Sequence, residues 1–152
     1  MLKYTIVPAS FFKKESLYQI LSEAVQLSEQ DKISYKELPQ YKAVLVYAYK
    51  GDKNIAPEIA GLVEATRLIK DHNKVAATYH DGFVNIAIAT DKKLLLANSY
   101  PATEAVTAEY FIFAALKQFQ MNPQVTTIYI GEPVCGEMTD DFIRYFKGVE
   151  TL

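Results

Sequence analysis

Residues 74–99 constrain the fold of this chain more than any other stretch. Three runs rich in apolar residues, 74–79, 83–89 and 94–99, are separated by only two short polar segments. The middle run alternates, with Val84, Ile86 and Ile88 on one face, which is the period of a strand. The first separator is Asp81-Gly82, a dipeptide that favours two-residue hairpin turns with positive φ. Residues 90–93 hold the second turn. Strands joined this tightly pair antiparallel, so residues 74–99 predict a three-stranded meander. A long helix then opens near Pro101 and Thr103 and runs to about Gln120. Asn122-Pro123 stops it, because the residue before proline disfavours helical backbone. A strand follows over 125–130 and ends at Gly131-Glu132-Pro133. Thr139 caps a last helix over 140–147, with Gly148 at its C-terminal cap.

The first 73 residues supply a partial β-α-β-β-α unit. A strand over 3–7 is stopped by Pro8. Leu17, Ile20, Leu21, Ala24 and Val25 recur at helical spacing and predict an amphipathic helix from Phe11 to Leu27, with Ser10 as its N-cap. A short strand over 33–35 precedes a stronger one over 41–49, which is rich in β-branched and aromatic residues. Gly51-Asp52-Lys53-Asn54 is a turn. Ile59, Leu62, Val63, Thr66 and Ile69 mark a second helix, with Pro57 near its first turn. The chain is therefore an α/β protein with a mixed sheet. Its β-α-β-β-α start precedes a β-β-β-α-β-α core, the order found in ribonuclease H-like and actin-like domains. That order speaks to fold and not to function.

Composition narrows the function classes. The 152 residues are 50% hydrophobic and 22% charged, with a net charge of -2. This suits a single globular domain. A mildly acidic chain with mixed signs carries no electrostatic footprint for nucleic acid or an anionic membrane. Cys135 is the single cysteine. It can form no internal disulfide and no thiolate metal site, which fits a reducing, cytoplasmic setting. Neither a secretory signal nor a spanning segment is expected, since the longest helical apolar stretch covers only 110–116.

The chemistry-bearing residues form no familiar constellation. A two-metal nuclease would need converging carboxylates. The available acids are Asp81, Asp91, Glu104, Glu109 and Glu132, and the first meander strand contains none of them. His72 and His80 lack ligands at metal spacing. Cys135 has no base nearby in sequence, so it reads as a quiet small side chain. The helix over 106–119 is unusual in being apolar nearly all round. Val106, Tyr110, Phe113 and Ala114 form one stripe, and Ala108, Ile112, Ala115 and Phe119 another. Such a helix is either sandwiched inside the subunit or meets a partner. Tyr110, Ile112, Phe113 and Phe119 are therefore candidate interface residues for a homodimer or a protein partner. The 11 tyrosines favour an interface, and an open sheet edge would also attract a partner.

Three stretches resemble a domain-of-unknown-function family of Bacteroidetes proteins with an actin-like ATPase fold. They are Tyr4-Thr5-Ile6-Val7-Pro8 with Ser10-Phe11-Phe12, then Tyr35-Lys36-Glu37-Leu38-Pro39 leading into the strand over 43–49, and the long segment from Lys74 to Ile130-Gly131-Glu132. That segment includes Leu96-Ala97-Asn98-Ser99-Tyr100. The resemblance implies one complete actin-like half over 74–152, preceded over 1–73 by part of the other half, with the family's N-terminal portion shortened. It also implies places for phosphate, at the Asp81-Gly82 hairpin and at Gly131, with ATP and magnesium as the cofactors. One glycine followed by Phe83 makes a good turn and a poor phosphate cradle. The expectation is a non-catalytic binding or scaffold protein without a cofactor. The alternative is a nucleotide-binding protein whose cleft is completed by another chain.

Overall fold

The protein is described by a computed structural model covering residues 2–131 and 136–152. The chain forms two compact units, Met1–Ala60 and Gly61–Leu152.

The first unit is built on a three-stranded antiparallel sheet. Its strands are β1 (Tyr4–Pro8), β2 (Lys32–Leu38) and β3 (Ala43–Tyr49), in the order β1-β3-β2. The pairs Val7↔Val44 and Tyr35↔Val46 put apolar side chains on one face. Helix α1 (Leu17–Ala24) covers that face with Leu21, packed against Val44 and Val46. The helix is shorter than its periodicity predicts. Ala9 N–H donates to Lys42 O at 2.8 Å, tying the residues after Pro8 to the start of β3. Phe12 and Lys13 are then extended, and the Phe12 ring lies 4.9 Å from that of Tyr35. Ser10 therefore falls inside a 3-10 turn (Ala9–Phe11) and caps no helix. The strand expected over 41–49 starts two residues late, because Lys42 is left-handed at φ 51. Helix α2 (Glu58–Ala65) holds the division between the units.

The second unit carries a five-stranded mixed sheet. Strands β4 (Asn73–His80), β5 (Phe83–Thr90) and β6 (Lys93–Pro101) are the predicted meander, and β7 (Thr127–Ile130) pairs parallel to β4. The order is β6-β5-β4-β7-β8. Strand β8 (Gly148–Thr151), parallel to β7, was not expected from sequence. Gly148 opens this strand and is not the C-terminal cap of a helix. Four residues with no alternation carry too little signal to be read. Strand β6 also runs on to Pro101, because Ala102 N–H reaches Gly82 O at 2.8 Å and holds the chain beside β5.

Helices α3 (Ala105–Gln118) and α4 (Gly136–Tyr145) pack together and contribute to one apolar cluster with the sheet. Val75, Ala77, Val84, Ile86, Ile88 and Ile128 meet Ile112, Leu116, Phe142 and Phe146 in this cluster. Thr139 lies inside α4 and does not cap it. The expectations for Glu132 and Cys135 fall outside the described residues. No helix among the described residues is long and apolar enough to cross a membrane.

Candidate functional site

Two regions carry the residues singled out in the sequence. The first is the end of the five-stranded sheet where the parallel strands β4 and β7 finish. In open α/β sheets, ligands collect at the carboxyl ends of parallel strands. The Asp81-Gly82 turn closes on the pair His80↔Phe83, with φ of 52° and 78°. Both central residues have positive φ, as a tight hairpin that follows the strand twist requires. The Asp81 side chain is 91% exposed, and its carboxylate sits 3.2 Å from His80 Nδ1. Gly82 spends its carbonyl on Ala102 N–H. A Cβ at Gly82 would meet nothing within 4 Å, so its glycine answers to backbone conformation and not to a close approach.

Gly131 answers to a different need. Its N–H donates to Ala77 O at 3.0 Å, which carries the β7 strand one residue further along β4. The residue is buried, and a Cβ there would lie 2.7 Å from Thr78 Cγ2. Gly131 and the hairpin occupy the same end of the sheet. Thr78 and Asp81 are three residue steps apart, about 10 Å at strand rise.

A row of polar side chains crosses the sheet beside Gly131. The registers Thr78↔Asn85 and Asn85↔Ser99 place the three side chains on the face opposite the apolar cluster. Asn85 Nδ2 donates to Thr78 Oγ1 at 3.1 Å, and Ser99 Oγ donates to Asn85 Oδ1. Thr78 and Asn85 are buried. The groups best able to read a ligand here are bonded to each other. The sequence held a partial signal for this row: Asn85 is the one polar residue of its apolar run, and the Asp81-Gly82 turn brings it into register with Thr78.

ATP and magnesium, which an actin-like ATPase fold implies, do not fit these residues. Both glycines are accounted for by the chain's own turn and packing, and the polar row is engaged internally. Among the described residues no group of three His, Cys, Asp or Glu side chains could hold a metal ion. Asp81 and Asp91 flank opposite ends of β5, so these two of the acids considered for a nuclease do not converge. His72 Nδ1 lies 3.1 Å from Asp91 Oδ2 in an exposed pair.

The second region is the outer surface of α3 and α4. Ile112, an interface candidate by its apolar stripe, is fully buried and belongs to the cluster beneath α3. Phe113 and Phe119 are half-buried against the same cluster. Phe113 stacks on Phe146, with centroids 5.4 Å apart. Helical geometry separates the two stripes: Ala108, Ile112 and Ala115 point inward, while Val106, Tyr110 and Ala114 are exposed. Tyr110 keeps 67% of its surface. Exposed Ile143 and Tyr145 on α4 add to the apolar surface. Tyr145 makes an edge contact with Phe113 at 5.7 Å, linking the two helices. Sequence reading missed these two, since the Phe142–Phe146 spacing draws attention to the inward face of α4.

No curated protein matches the chain. A crystal structure from Bacteroides thetaiotaomicron VPI-5482, described as a protein with actin-like ATPase fold and unknown function, superposes with a TM-score of 0.75 at 14% identity. The superposition covers 99% of this chain and 65% of the other, so this chain spans just under two thirds of that protein's length. At that identity the likeness concerns the fold, which is the actin-like ATPase fold. The family described as Protein of unknown function (DUF3822) matches residues 2–145, and this chain belongs to it.

Proposed function

We propose that the protein is a non-catalytic binding or scaffold protein of the cytoplasm, built on a degenerate actin-like fold. Its contact surface is the exposed stripe of α3 with the neighbouring apolar residues of α4, and its partner is a second copy of the chain. The observation that carries this reading is the exposure of Val106, Tyr110, Ile143 and Tyr145 on two helices that already bury a full inward face. Tyrosine supplies large apolar area with a polar tip, and it is enriched where proteins meet. A stripe along one helix can cross its own symmetry copy, so that like residues meet about a two-fold axis. The strand order β6-β5-β4-β7-β8 supports reading residues 74–152 as one ribonuclease H-like half, with residues 1–73 as part of the other.

Light scattering tests the reading. The dimer is expected near twice the 17.1 kDa subunit mass at high micromolar concentration. Tyr110→Asp is expected to return a folded monomer, since the side chain is exposed. A monomeric wild type would sink the homodimer. The alternative, a nucleotide held in a cleft completed by another chain, predicts a melting-temperature rise with millimolar ATP and magnesium once that chain is present.

A further inference from the structure

We propose that Gly131 and Thr78 form a steric interlock that seals the carboxyl end of the five-stranded sheet where β7 leaves β4. The inference goes beyond the binding-protein reading above and gives the sheet end a different job from holding phosphate. Three observations meet at this point. Gly131 N–H is bonded to Ala77 O, so its backbone is drawn against β4. A Cβ at Gly131 would lie 2.7 Å from Thr78 Cγ2, and among the described residues no other heavy atom beyond its chain neighbours would stand within 4 Å. Thr78 cannot swing its methyl away freely, because its Oγ1 accepts from Asn85 Nδ2 and Asn85 accepts in turn from Ser99.

The consequence is a chain of dependence across four strands. Ser99 on β6 orients Asn85 on β5. Asn85 fixes the hydroxyl of Thr78 on β4, and the rotamer so fixed puts the Thr78 methyl over Gly131. A β-branched side chain has few rotamers to escape into. Residue 131 is therefore glycine because of a neighbouring methyl group, and a ligand is not needed to explain it.

A double-mutant cycle tests this. Thr78→Ser removes Cγ2 and keeps the hydroxyl that Asn85 holds, so it isolates the methyl. Gly131→Ala alone is expected to lower the melting temperature by about 5 °C, as overpacking in a chain of this size does. In Thr78→Ser/Gly131→Ala most of that loss is expected to return, because the methyl group that the added Cβ would meet is then gone. If Gly131→Ala fails to fold, recovery of a folded double variant supports the interlock equally. Gly131→Ala as stable as wild type overturns it. So does a double variant as unstable as the single one, because the obstacle would not be the Thr78 methyl.

Wild-type protein is scanned in parallel with millimolar ATP and magnesium. A clear rise there, beside a successful rescue, would sink the binding-protein reading and leave the interlock standing. A rise that Gly131→Ala abolishes without loss of stability would overturn the interlock itself.

Discussion

Helix α1 and the pair α3–α4 do similar work in the two units with unequal support. In the second unit, α3 buries Ala108, Ile112, Ala115 and Leu116, and α4 adds Phe142 and Phe146. Phe113, Phe142 and Phe146 form a connected ring cluster with centroids 5.4–6.0 Å apart. In the first unit, α1 buries Leu21 alone, and the side chains around Leu21, Val44 and Val46 are only partly covered. One unit has redundancy in its core, while the other holds its helix with one fully buried leucine flanked by the half-buried Leu17 and Ile20.

The largest expected effect lies in the richer core. Phe142→Ala should cost about 3–5 kcal/mol, from lost burial plus the cavity left between Phe113 and Phe146. Urea unfolding measures it, and a loss under about 1 kcal/mol would show that α4 is not part of the cluster. Leu21→Ala should cost about 2–3 kcal/mol, at the lower end for a buried leucine because α1 sits near solvent and its site can collapse. Hydrogen exchange sharpens the comparison. Protection should fall in α1 and β3 for Leu21→Ala, and in α3 and α4 for Phe142→Ala. Equal loss across both units for either variant would break the distinction.

Gly82 offers a smaller test of the hairpin. Valine there has open space but must adopt φ near 78°, so Gly82→Val should cost about 1–3 kcal/mol of backbone strain. If the turn were a phosphate cradle, the same change would remove an ATP-dependent stabilisation. If it is a turn alone, only stability moves.

The meander over 74–99 was legible because two-residue turns leave the register little freedom. Pairing follows from the Asp81-Gly82 position, and alternation then assigns the faces. The apolar character of α3 was legible too, but its split into an inward and an outward stripe was not, since both stripes are apolar and only packing tells them apart. Two things stayed out of reach for physical reasons. Strand β8 draws its existence from β7 beside it and not from its own four residues. The Gly131–Thr78 contact joins positions 53 apart in sequence, and a single glycine after a strand looks the same whether it serves a turn or a tight packing contact.

The first unit also has an electrostatic tie. Asp31 accepts from Lys3 Nζ at 2.7 Å and from Ser28 N–H at 2.8 Å. The Lys3 ammonium and the Ser28 donors hold its carboxyl down to about 2, from an ordinary 3.8. A depressed carboxylate contributes stability that is present above the unfolded value and lost as pH falls through the folded one. Wild type should therefore lose stability relative to Asp31→Asn between about pH 4 and pH 2, measured by thermal melts across that window. A constant difference between the two proteins would show that the tie contributes nothing by ionisation.

The smallest expected effect is a gain, at the end of α3. Met121 N–H bonds to Leu116 O at 2.9 Å, and Gln120 N–H to Lys117 O at 3.1 Å. This pair of bonds defines a Schellman cap, whose residue after the C-cap is left-handed and is most often glycine. Gln120 occupies that place at φ 56. Its exposed side chain leaves glycine little packing to lose. Gln120→Gly should therefore stabilise the second unit by about 0.5–1 kcal/mol, with the left-handed strain removed outweighing the extra freedom glycine brings to the unfolded chain. Gly82 and Gln120 thus hold similar φ with and without the residue that suits it. If Gln120→Gly lowers stability, unfolded-state entropy dominates at this cap, and the cost expected for Gly82→Val should be revised downward by the same reasoning.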